Sequence, residues 1–324
     1  MRVFLTGANG FIARALSARL RADGHTVSGV DLRADPGSGI VAGDVSTPGP
    51  WQDITADLVF HTAAVVSNGV GLAGQWRVNV GGTRNALDAA VRSGATRFVH
   101  FSSIRAFSDL GFPDGVTEDH PVRPDGNPYV DTKIASEQVA LQAHAAGRIA
   151  VTIVRPGDVY GPGSRPWTLM PLELIRRNQF LLPAWGRGIF SPVYIDDLVD
   201  GVVRAALSPD AAGQIFTLTG GTGVTCRDFF AHYYRMLGKR GPVCVPTPAA
   251  VAVAVAAGRA LSLVSAAGSS AAEFNAVSMR YFARTGTYAI GKARRVLGYD
   301  PAVDLTEGMA RTGRWLRAEG LIPS

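Results

Sequence analysis

Residues 3–13 read Val-Phe-Leu-Thr-Gly-Ala-Asn-Gly-Phe-Ile-Ala, and the rest of the chain can be arranged around them. A short apolar run ends in a glycine-containing turn, and apolar residues at helical spacing follow directly, which predicts a strand, a tight turn and the start of a helix. The free N–H groups and positive dipole end of such a helix attract an anion, typically the pyrophosphate of a dinucleotide. Gly7 and Gly10 let the backbone approach that anion. Ala13 takes the third glycine position, where a small residue serves helix packing.

The second apolar run ends at Asp31, about 21 residues after Gly10. An acidic residue at this distance binds the adenosine ribose hydroxyls and repels a 2′-phosphate, which favours NAD as the cofactor. Arg33 lies two residues further on and offers a cation to a 2′-phosphate. NADP therefore remains the alternative.

Two further apolar runs, residues 39–42 and 58–60, end in polar or small residues. The carboxyl ends of neighbouring parallel strands meet at one edge of a sheet, and ligands bind in the crevice there. These strand ends therefore contribute to the predicted cofactor site through Asp44, Val45, Thr62, Ala63 and Ala64.

Composition limits the class of protein. The chain has 324 residues, of which 47% are hydrophobic, so it is long enough and apolar enough for a well-cored globular fold. The formal charge of +6 comes from 29 Arg and 3 Lys without a basic run, which does not predict nucleic-acid binding. Cys226 and Cys244 have neither metal-ligand nor disulfide spacing, so no metal site is predicted. The first strand begins directly after Met1, which predicts a cytoplasmic protein without a signal peptide.

Residues 249–267 are strongly apolar but contain too short an uninterrupted run to span a bilayer. We interpret them as a buried or lid helix. A membrane-surface or oligomer contact is the alternative.

The middle of the chain carries the reactive groups. Residues 97–101 form a fifth predicted strand that delivers Ser103 to the ligand edge, and Tyr129 and Lys133 lie four residues apart on a predicted helix over 129–147. A nearby ammonium favours the phenolate and lowers the pKa of a tyrosine, which brings it into range for proton transfer. A serine hydroxyl across the pocket can hold the substrate oxygen. The Tyr-Lys pair alone is also compatible with an ordinary solvated helix turn.

The order and spacing of several stretches resemble the extended short-chain dehydrogenase/reductases of the NAD-dependent epimerase/dehydratase family. The resemblance covers nearly the whole chain and departs from the family pattern at Ala13 and at Phe107-Ser108, where Tyr-Gly is common. The matching stretches are residues 6–13, 43–45, 61–64, 78–83, 101–103, 129–133, 155–163 and 193–197.

The resemblance implies roles for individual residues. Tyr129 would be the catalytic acid/base, Lys133 would bind the nicotinamide ribose and tune Tyr129, and Ser103 would orient the substrate oxygen. The amide of Asn79 would bond either backbone or a relay water. The residues implied to contact the cofactor are Gly7, Asn9, Gly10, Phe11, Ile12, Asp31, Asp44, Val45, Thr62, Ala63, Ala64, Asn79, Lys133, Pro156 and Val159.

We therefore predict an α/β fold with two discontinuous domains. Residues 1–165 with 190–219 would form a Rossmann domain, a doubly wound parallel sheet that binds NAD. Residues 166–189 with 220–324 would form a smaller, mixed, mostly helical substrate domain. By resemblance, a homodimer would form through the helices that carry Asn79 and Tyr129.

The substrate is inferred from two features. Family members that act on nucleotide sugars commonly hold the diphosphate with an arginine at the position of Phe190, and residues 249–267 would supply an apolar lid. Both features resemble the 3β-hydroxysteroid dehydrogenase-like branch, which implies hydride transfer between NAD and a bulky hydrophobic secondary alcohol or ketone, steroid-like or β-hydroxy/β-keto.

Two alternatives stay open. A nucleotide-sugar epimerase, dehydratase or reductase would use the same catalytic residues, with another arginine on the diphosphate: Arg165, Arg176, Arg187, Arg280 or Arg284. A non-catalytic dinucleotide-sensing scaffold is disfavoured because Tyr129 and Lys133 are both present.

Three further groups of polar residues have structural interpretations. Asp196-Asp197 precedes an apolar helical pattern, which predicts a helix N-cap. His61 and His100 lie in or at the ends of strands, and we interpret both as packed residues, since no triad spacing accompanies them.

Overall fold

The computed structural model describes residues 1–67, 69–263 and 276–323. The strands are β1 Arg2–Thr6, β2 Thr26–Asp31, β3 Ile40–Ala42, β4 Leu58–His61, β5 Arg97–Phe101, β6 Ala150–Pro156, β7 Asp158–Tyr160, β8 Leu181–Leu182, β9 Ile189–Phe190, β10 Pro192–Tyr194, β11 Ile215–Leu218, β12 Val224–Thr225 and β13 Val243–Cys244. Seven of them form a parallel main sheet in the order β11-β6-β5-β4-β1-β2-β3, and this arrangement confirms the predicted α/β doubly wound fold.

Helices cover both faces of the sheet. A π-helical turn, Trp76–Gly81, joins the helices Leu72–Gln75 and Gly82–Arg92 end to end. The helices are α1 Phe11–Ala22, α2 Leu72–Gln75, α3 Gly82–Arg92, α4 Pro128–Ala145, α5 Met170–Arg176, α6 Ile195–Leu207, α7 Cys226–Met236, α8 Thr247–Leu263, α9 Ala276–Ala283, α10 Gly291–Leu297 and α11 Leu305–Ala318.

Successive side chains of β1 pack into the hydrophobic cores on opposite faces of the main sheet. Val3 and Leu5 belong to a core that includes residues of α1 and α6, whereas Phe4 belongs to a separate core with residues of α3 and α4. Successive side chains of a strand point to opposite faces, so a continuous apolar run is buried on both sides.

Two close backbone approaches hold the first strand, turn and helix in place. Gly7 adopts a φ of +66°, and a Cβ there would lie 2.8 Å from the Ala63 Cα, so the turn lies against the segment that follows β4. A Cβ on Gly29 would lie 2.6 Å from the Ala8 Cβ. Because Gly7 and Gly29 have no side chain, the segment after β4 and the strand β2 can both pack closely against the turn.

Asp196 and Asp197 do not form the helix N-cap that the sequence predicted. The N-cap of α6 is Tyr194, and both carboxylates lie in the first turn of that helix. The Asp197 carboxylate accepts hydrogen bonds from the N–H groups of Ala302 and Val303, at 2.9 and 3.0 Å. The N-cap prediction is wrong because strand β10 continues directly into the helix, so the two aspartates are its second and third residues.

The apolar stretch 249–267 is helical within α8, and the part beyond residue 263 lies outside the described residues. Ala250 and Ala254 are buried, while Val253 and Val255 are exposed. Among the helices that the structure describes, none combines the length and apolar character needed to cross a membrane.

A buried ion pair fastens α4 to the sheet. The Arg155 Nε and Nη2 atoms donate to the two Glu137 carboxylate oxygens at 2.8 and 2.6 Å, and both side chains are at most 2% exposed. The guanidinium carbon also lies 4.4 Å from the centroid of the Phe107 ring. Helix α4 also carries Tyr129 and Lys133. The Arg155–Glu137 ion pair therefore helps to fix the position of these two residues relative to β6.

We expect Glu137→Ala to lower the free energy of unfolding by about 3 kcal/mol, because it leaves a buried guanidinium without its carboxylate. Urea denaturation followed by circular dichroism measures this. The control is Asp88→Ala, which breaks the solvent-exposed pair with Arg148 at 2.7 Å and should cost less than about 1 kcal/mol. Similar losses in the two variants would contradict this account of the buried pair.

Candidate active site

A cleft of about 560 Å³ opens at the carboxyl edge of the main sheet. The turn after β1 and the ends of β4, β5 and β6 form its floor. It therefore gathers residues from across the first half of the chain, as the sequence predicted for parallel strand ends. The predicted site residues that line it are Gly7, Gly10, Phe11, Ile12, Asp31, Thr62, Ala63, Ala64, Ser103, Tyr129, Lys133, Pro156 and Val159.

One end of the cleft fits a dinucleotide. Helix α1 begins at Phe11 with Gly10 as N-cap and no side-chain cap, so its first N–H groups are free to bind phosphate oxygens. The Asp31 carboxylate lines the cleft and is held by the N–H groups of Asn9 and Leu32, at 2.9 and 2.7 Å. The buried Ser102 hydroxyl also lines the cleft and has no hydrogen-bond partner among the described residues. These groups suit the phosphates, ribose and polar edge of NAD.

Three predicted cofactor residues do not line the cleft. Asn9 stabilises the turn by donating its side-chain amide to the Arg33 carbonyl at 2.7 Å. The Asp44 carboxylate accepts the Ser46 N–H at 2.8 Å, and Val45 is buried. Their contact with cofactor stays a prediction.

Asn79 also lies outside the cleft, within the π-helical turn. Its Oδ1 accepts the Val65 N–H at 2.7 Å, and its Nδ2 donates to the Val65 carbonyl at 3.2 Å and to the Thr132 hydroxyl at 3.0 Å. The amide therefore bonds backbone, one of the two predicted options. It ties the segment after β4 to the helix that carries Tyr129.

Ser103, Tyr129 and Lys133 converge on one wall of the cleft. The Ser103 and Tyr129 side chains both line the cleft, and the Lys133 Nζ lies 5.9 Å from the centroid of the Tyr129 ring. The same Nζ donates to the Phe101 carbonyl at 2.8 Å. Asn127 caps α4 by accepting the Tyr129 N–H at 3.0 Å, so the tyrosine is fixed in the first turn of the helix.

The expected lowering of the Tyr129 pKa is not observed. Burial raises the pKa of the phenol above its ordinary value, and the largest opposing contributions come from the Arg105 guanidinium and the Ser103 hydroxyl. Burial also lowers the pKa of Lys133 to about 8, against an opposing contribution from Glu137. The prediction considered only the ammonium, whereas removal of water is the larger effect on both groups.

Arg105 and its neighbours form a column of alternating cations and rings that the sequence analysis missed. The Arg105 guanidinium carbon lies 5.0 Å from the Tyr129 ring centroid and 4.9 Å from the Tyr281 ring centroid. The Arg284 guanidinium carbon lies 3.9 Å from the same Tyr281 centroid. We call this set of Lys133, Tyr129, Arg105, Tyr281 and Arg284 the cation–ring column.

Two buried carboxylates pair with the two arginines of the column. Asp109 accepts both the Nε and Nη2 atoms of Arg105, the first at 2.7 Å. Asp158 accepts the Tyr281 hydroxyl, the Arg284 Nη2 at 3.3 Å and the Ser191 N–H at 2.9 Å. Arg105 and Asp158 lie within or beside family stretches. Tyr281 and Arg284 come from a distant part of the chain, where no spacing rule connects them to Tyr129.

The five arginines predicted as alternative diphosphate ligands differ in whether they line the cleft. Arg165 lines the cleft, whereas Arg284 is buried against Asp158, which makes it unsuitable for that role. Arg176, Arg187 and Arg280 are exposed and do not line the cleft. Phe190 is buried in an aromatic cluster, with its ring centroid 4.8 Å from that of Trp167 and 4.3 Å from that of Phe229.

The two buried histidines have packing roles. His61 bonds the hydroxyls of Thr6 and Thr83 at 2.7 and 3.0 Å, and burial lowers its pKa to about 3. His100 bonds the Ser136 hydroxyl at 3.0 Å, and burial lowers its pKa well below the ordinary value. Both are neutral at physiological pH. Over the described ranges, no three His, Cys, Asp or Glu residues gather as metal ligands.

Comparison with known proteins agrees with this geometry. Residues 3–218 match the model of the NAD dependent epimerase/dehydratase family. A 3 beta-hydroxysteroid dehydrogenase/Delta 5-->4-isomerase of Mycobacterium tuberculosis is 28% identical, over 93% of this chain and 86% of the relative. A 4-hydroxy-2-methyl-3-oxo-4-farnesyl-3,4-dihydroquinoline-1-oxide ketoreductase of Stigmatella aurantiaca is 30% identical, over 95% of each chain.

Among solved structures, the chain is similar to MoeE5 in complex with UDP-glucuronic acid and NAD. The two share 25% identity and superpose with a TM-score of 0.79 over 98% of this chain and all of the other. The family match, the extent of these similarities and the strand order together identify the family of this protein. The chain belongs to the NAD-dependent epimerase/dehydratase family of extended short-chain dehydrogenase/reductases.

Proposed function

We propose that the protein transfers hydride between NAD and a bulky hydrophobic secondary alcohol or ketone. The observation that carries this proposal is the apolar wall of the cleft beyond Tyr129. Both α5 and the aromatic cluster contribute to it, and such a surface suits a large apolar substrate better than a sugar. The apolar side chains of this wall are Pro166, Trp167, Met170, Pro171, Leu174, Phe180 and Phe282.

The printed names of two relatives support the same class of substrate. One is a hydroxysteroid dehydrogenase and the other a ketoreductase that acts on a farnesylated dihydroquinoline oxide. MoeE5 in complex with UDP-glucuronic acid supports the rival class instead, and Arg165 is the cleft residue that would hold its diphosphate.

The residues have the following proposed roles. Tyr129 accepts the proton of the substrate hydroxyl in oxidation and returns it to the carbonyl oxygen in reduction. Ser103 hydrogen-bonds that same oxygen, and Lys133 holds the nicotinamide ribose. NAD, when bound, supplies the hydride acceptor or, in its reduced form, the hydride donor.

The carboxylates of the cleft disfavour a dehydratase. Elimination of water needs an acid and a base beyond the tyrosine. Among the described residues that line the cleft, the carboxylates are Asp31 and Asp158. Asp31 lies in the dinucleotide end, and Asp158 is engaged by Tyr281, Arg284 and Ser191. Neither is placed to serve a second proton transfer, so we assign hydride transfer alone.

The test of substrate class uses cofactor-saturated protein. We expect steroid alcohols and long-chain β-hydroxy compounds to raise the melting temperature and to drive formation of reduced NAD, measured by absorbance, because the apolar wall buries them. UDP- and dTDP-sugars should do neither. Stabilisation by a nucleotide sugar, reduced in Arg165→Gln, would establish the rival class and overturn this proposal.

A second prediction concerns Tyr129. Tyr129→Phe should lower kcat by at least about 100-fold with little change in the Kd for NAD, since it removes the proton acceptor and keeps the ring. Wild-type alcohol oxidation should rise nearly tenfold per pH unit between about pH 5 and pH 7, because the phenol pKa is raised above its ordinary value and Lys133, with a pKa of about 8, stays charged there. Ketone reduction needs the protonated phenol and should change little. An undiminished rate in Tyr129→Phe would refute the assignment.

A third prediction concerns cofactor choice. Asp31→Asn removes the charge that repels a 2′-phosphate, so the ratio of kcat/KM for NAD to that for NADP should fall about 10- to 100-fold. Arg33→Ala is the matched control and should lower only the use of NADP. A wild-type enzyme that prefers NADP, or an unchanged ratio in Asp31→Asn, would contradict the role of Asp31.

A further inference from the structure

One edge of the Arg105 guanidinium, the Nη1 atom, makes no hydrogen bond to the described residues. Its Nε and Nη2 atoms are both committed to the Asp109 carboxylate. Its Nη1 atom has no hydrogen-bond partner among the described residues, although the side chain is only 15% exposed and lines the cleft. Asp109 already neutralises the guanidinium. The remaining N–H groups are therefore available to an acceptor inside the cleft.

The position of this edge limits what it can bind. The Arg105 backbone N–H donates to the Ser103 hydroxyl at 3.2 Å, and the guanidinium carbon lies 5.0 Å from the Tyr129 ring centroid. Ser103 and Tyr129 are the groups assigned to the reacting oxygen. A second substrate oxygen bound by Arg105 would therefore belong to a carbon only one or two bonds from the reacting carbon.

The electrostatics of this end of the cleft favour an electron-rich oxygen. Lys133 and Arg105 both contact the Tyr129 ring, and the nearby carboxylates of Asp109 and Asp158 are each engaged by an arginine. A guanidinium N–H group that is accessible from the cleft can form a charge-assisted hydrogen bond to a ligand oxygen, and such bonds are stronger than those between neutral groups.

We propose that Arg105 binds a carbonyl or carboxylate oxygen of the substrate, and that the substrate is a β-hydroxy or β-keto acid or ketone with a bulky apolar body. This inference rests on the proposed hydride transfer and narrows its substrate class. Arg105 is then a specificity-determining residue: it selects the second oxygen, while Ser103 and Tyr129 bind the first.

The test compares three substrates of one chain length: β-hydroxydodecanoate, the corresponding β-hydroxy methyl ketone, and 3-dodecanol, which has no second oxygen. Arg105→Met would leave Asp109 buried and unpaired, so the test variant is Arg105→Met with Asp109→Asn. Asp109→Asn alone is the matched control, because it keeps the arginine and an acceptor oxygen. Thermal unfolding establishes that both variants are folded.

Loss of the Arg105 charge beside Tyr129 should lower kcat for all three alcohols alike. We expect the double variant to lose a further factor of about 10 to 100 in kcat/KM for the acid, the ketone or both relative to 3-dodecanol, chiefly through KM. Loss confined to the acid would identify a carboxylate, and loss confined to the ketone a neutral carbonyl. Asp109→Asn should keep the preference for a second oxygen. Equal losses on all three substrates would show a merely structural role and overturn the proposal, as would no loss on any.

Binding separates this proposal from the hydride-transfer proposal. β-Ketododecanoate and the matching β-diketone should stabilise NAD-saturated Tyr129→Phe, and this stabilisation should vanish when Arg105→Met and Asp109→Asn are added. That result would support the second-oxygen site even if none of the three alcohols were oxidised, an outcome that would count against the proposed function alone. Stabilisation unaffected by the added substitutions would refute the role of Arg105.

Discussion

The Tyr129 ring lies between two cations in a site from which water is largely excluded, and the rest of the active site follows from this arrangement. Lys133 and Arg105 lie 5.9 and 5.0 Å from the ring centroid. Burial alone makes a phenolate costly, and a neighbouring cation reduces that cost. The cations are themselves expensive to bury, so the column requires the carboxylates of Asp109 and Asp158.

The same column connects Tyr129 to the last third of the chain. Arg105 contacts the Tyr281 ring as well as the Tyr129 ring, and Tyr281 bonds Asp158 just after β6. One wall of the cleft therefore comes from the parallel sheet and the other from residues beyond 160. Polar groups concentrate near Tyr129 and apolar groups beyond it, which lets one cavity orient a reacting oxygen and bury an apolar body.

Much of the fold and many of the residues that line the cleft could be predicted from the sequence, because local sequence patterns determine them. Apolar runs ending in glycine or polar residues located the strands and the edge at which the cleft opens, and the spacing of Tyr129 and Lys133 placed both on one face of a helix that lines the cleft. The errors share one cause. Asp197 was taken for a cap and Tyr129 for a phenol of lowered pKa, and Arg284 was one of five arginines considered for a diphosphate, because each depends on neighbours distant in sequence.

The sequence by itself determined the doubly wound sheet, the dinucleotide end of the cleft and the family, since periodicity, glycine spacing and short motifs act over a few residues. Only the tertiary structure decided which charges are paired and which are left for a ligand. Whether Arg105 has a free edge depends on Asp109, Tyr129 and Tyr281 meeting in space. Burial and electrostatic pairing depend on all neighbours at once, and no linear spacing encodes them.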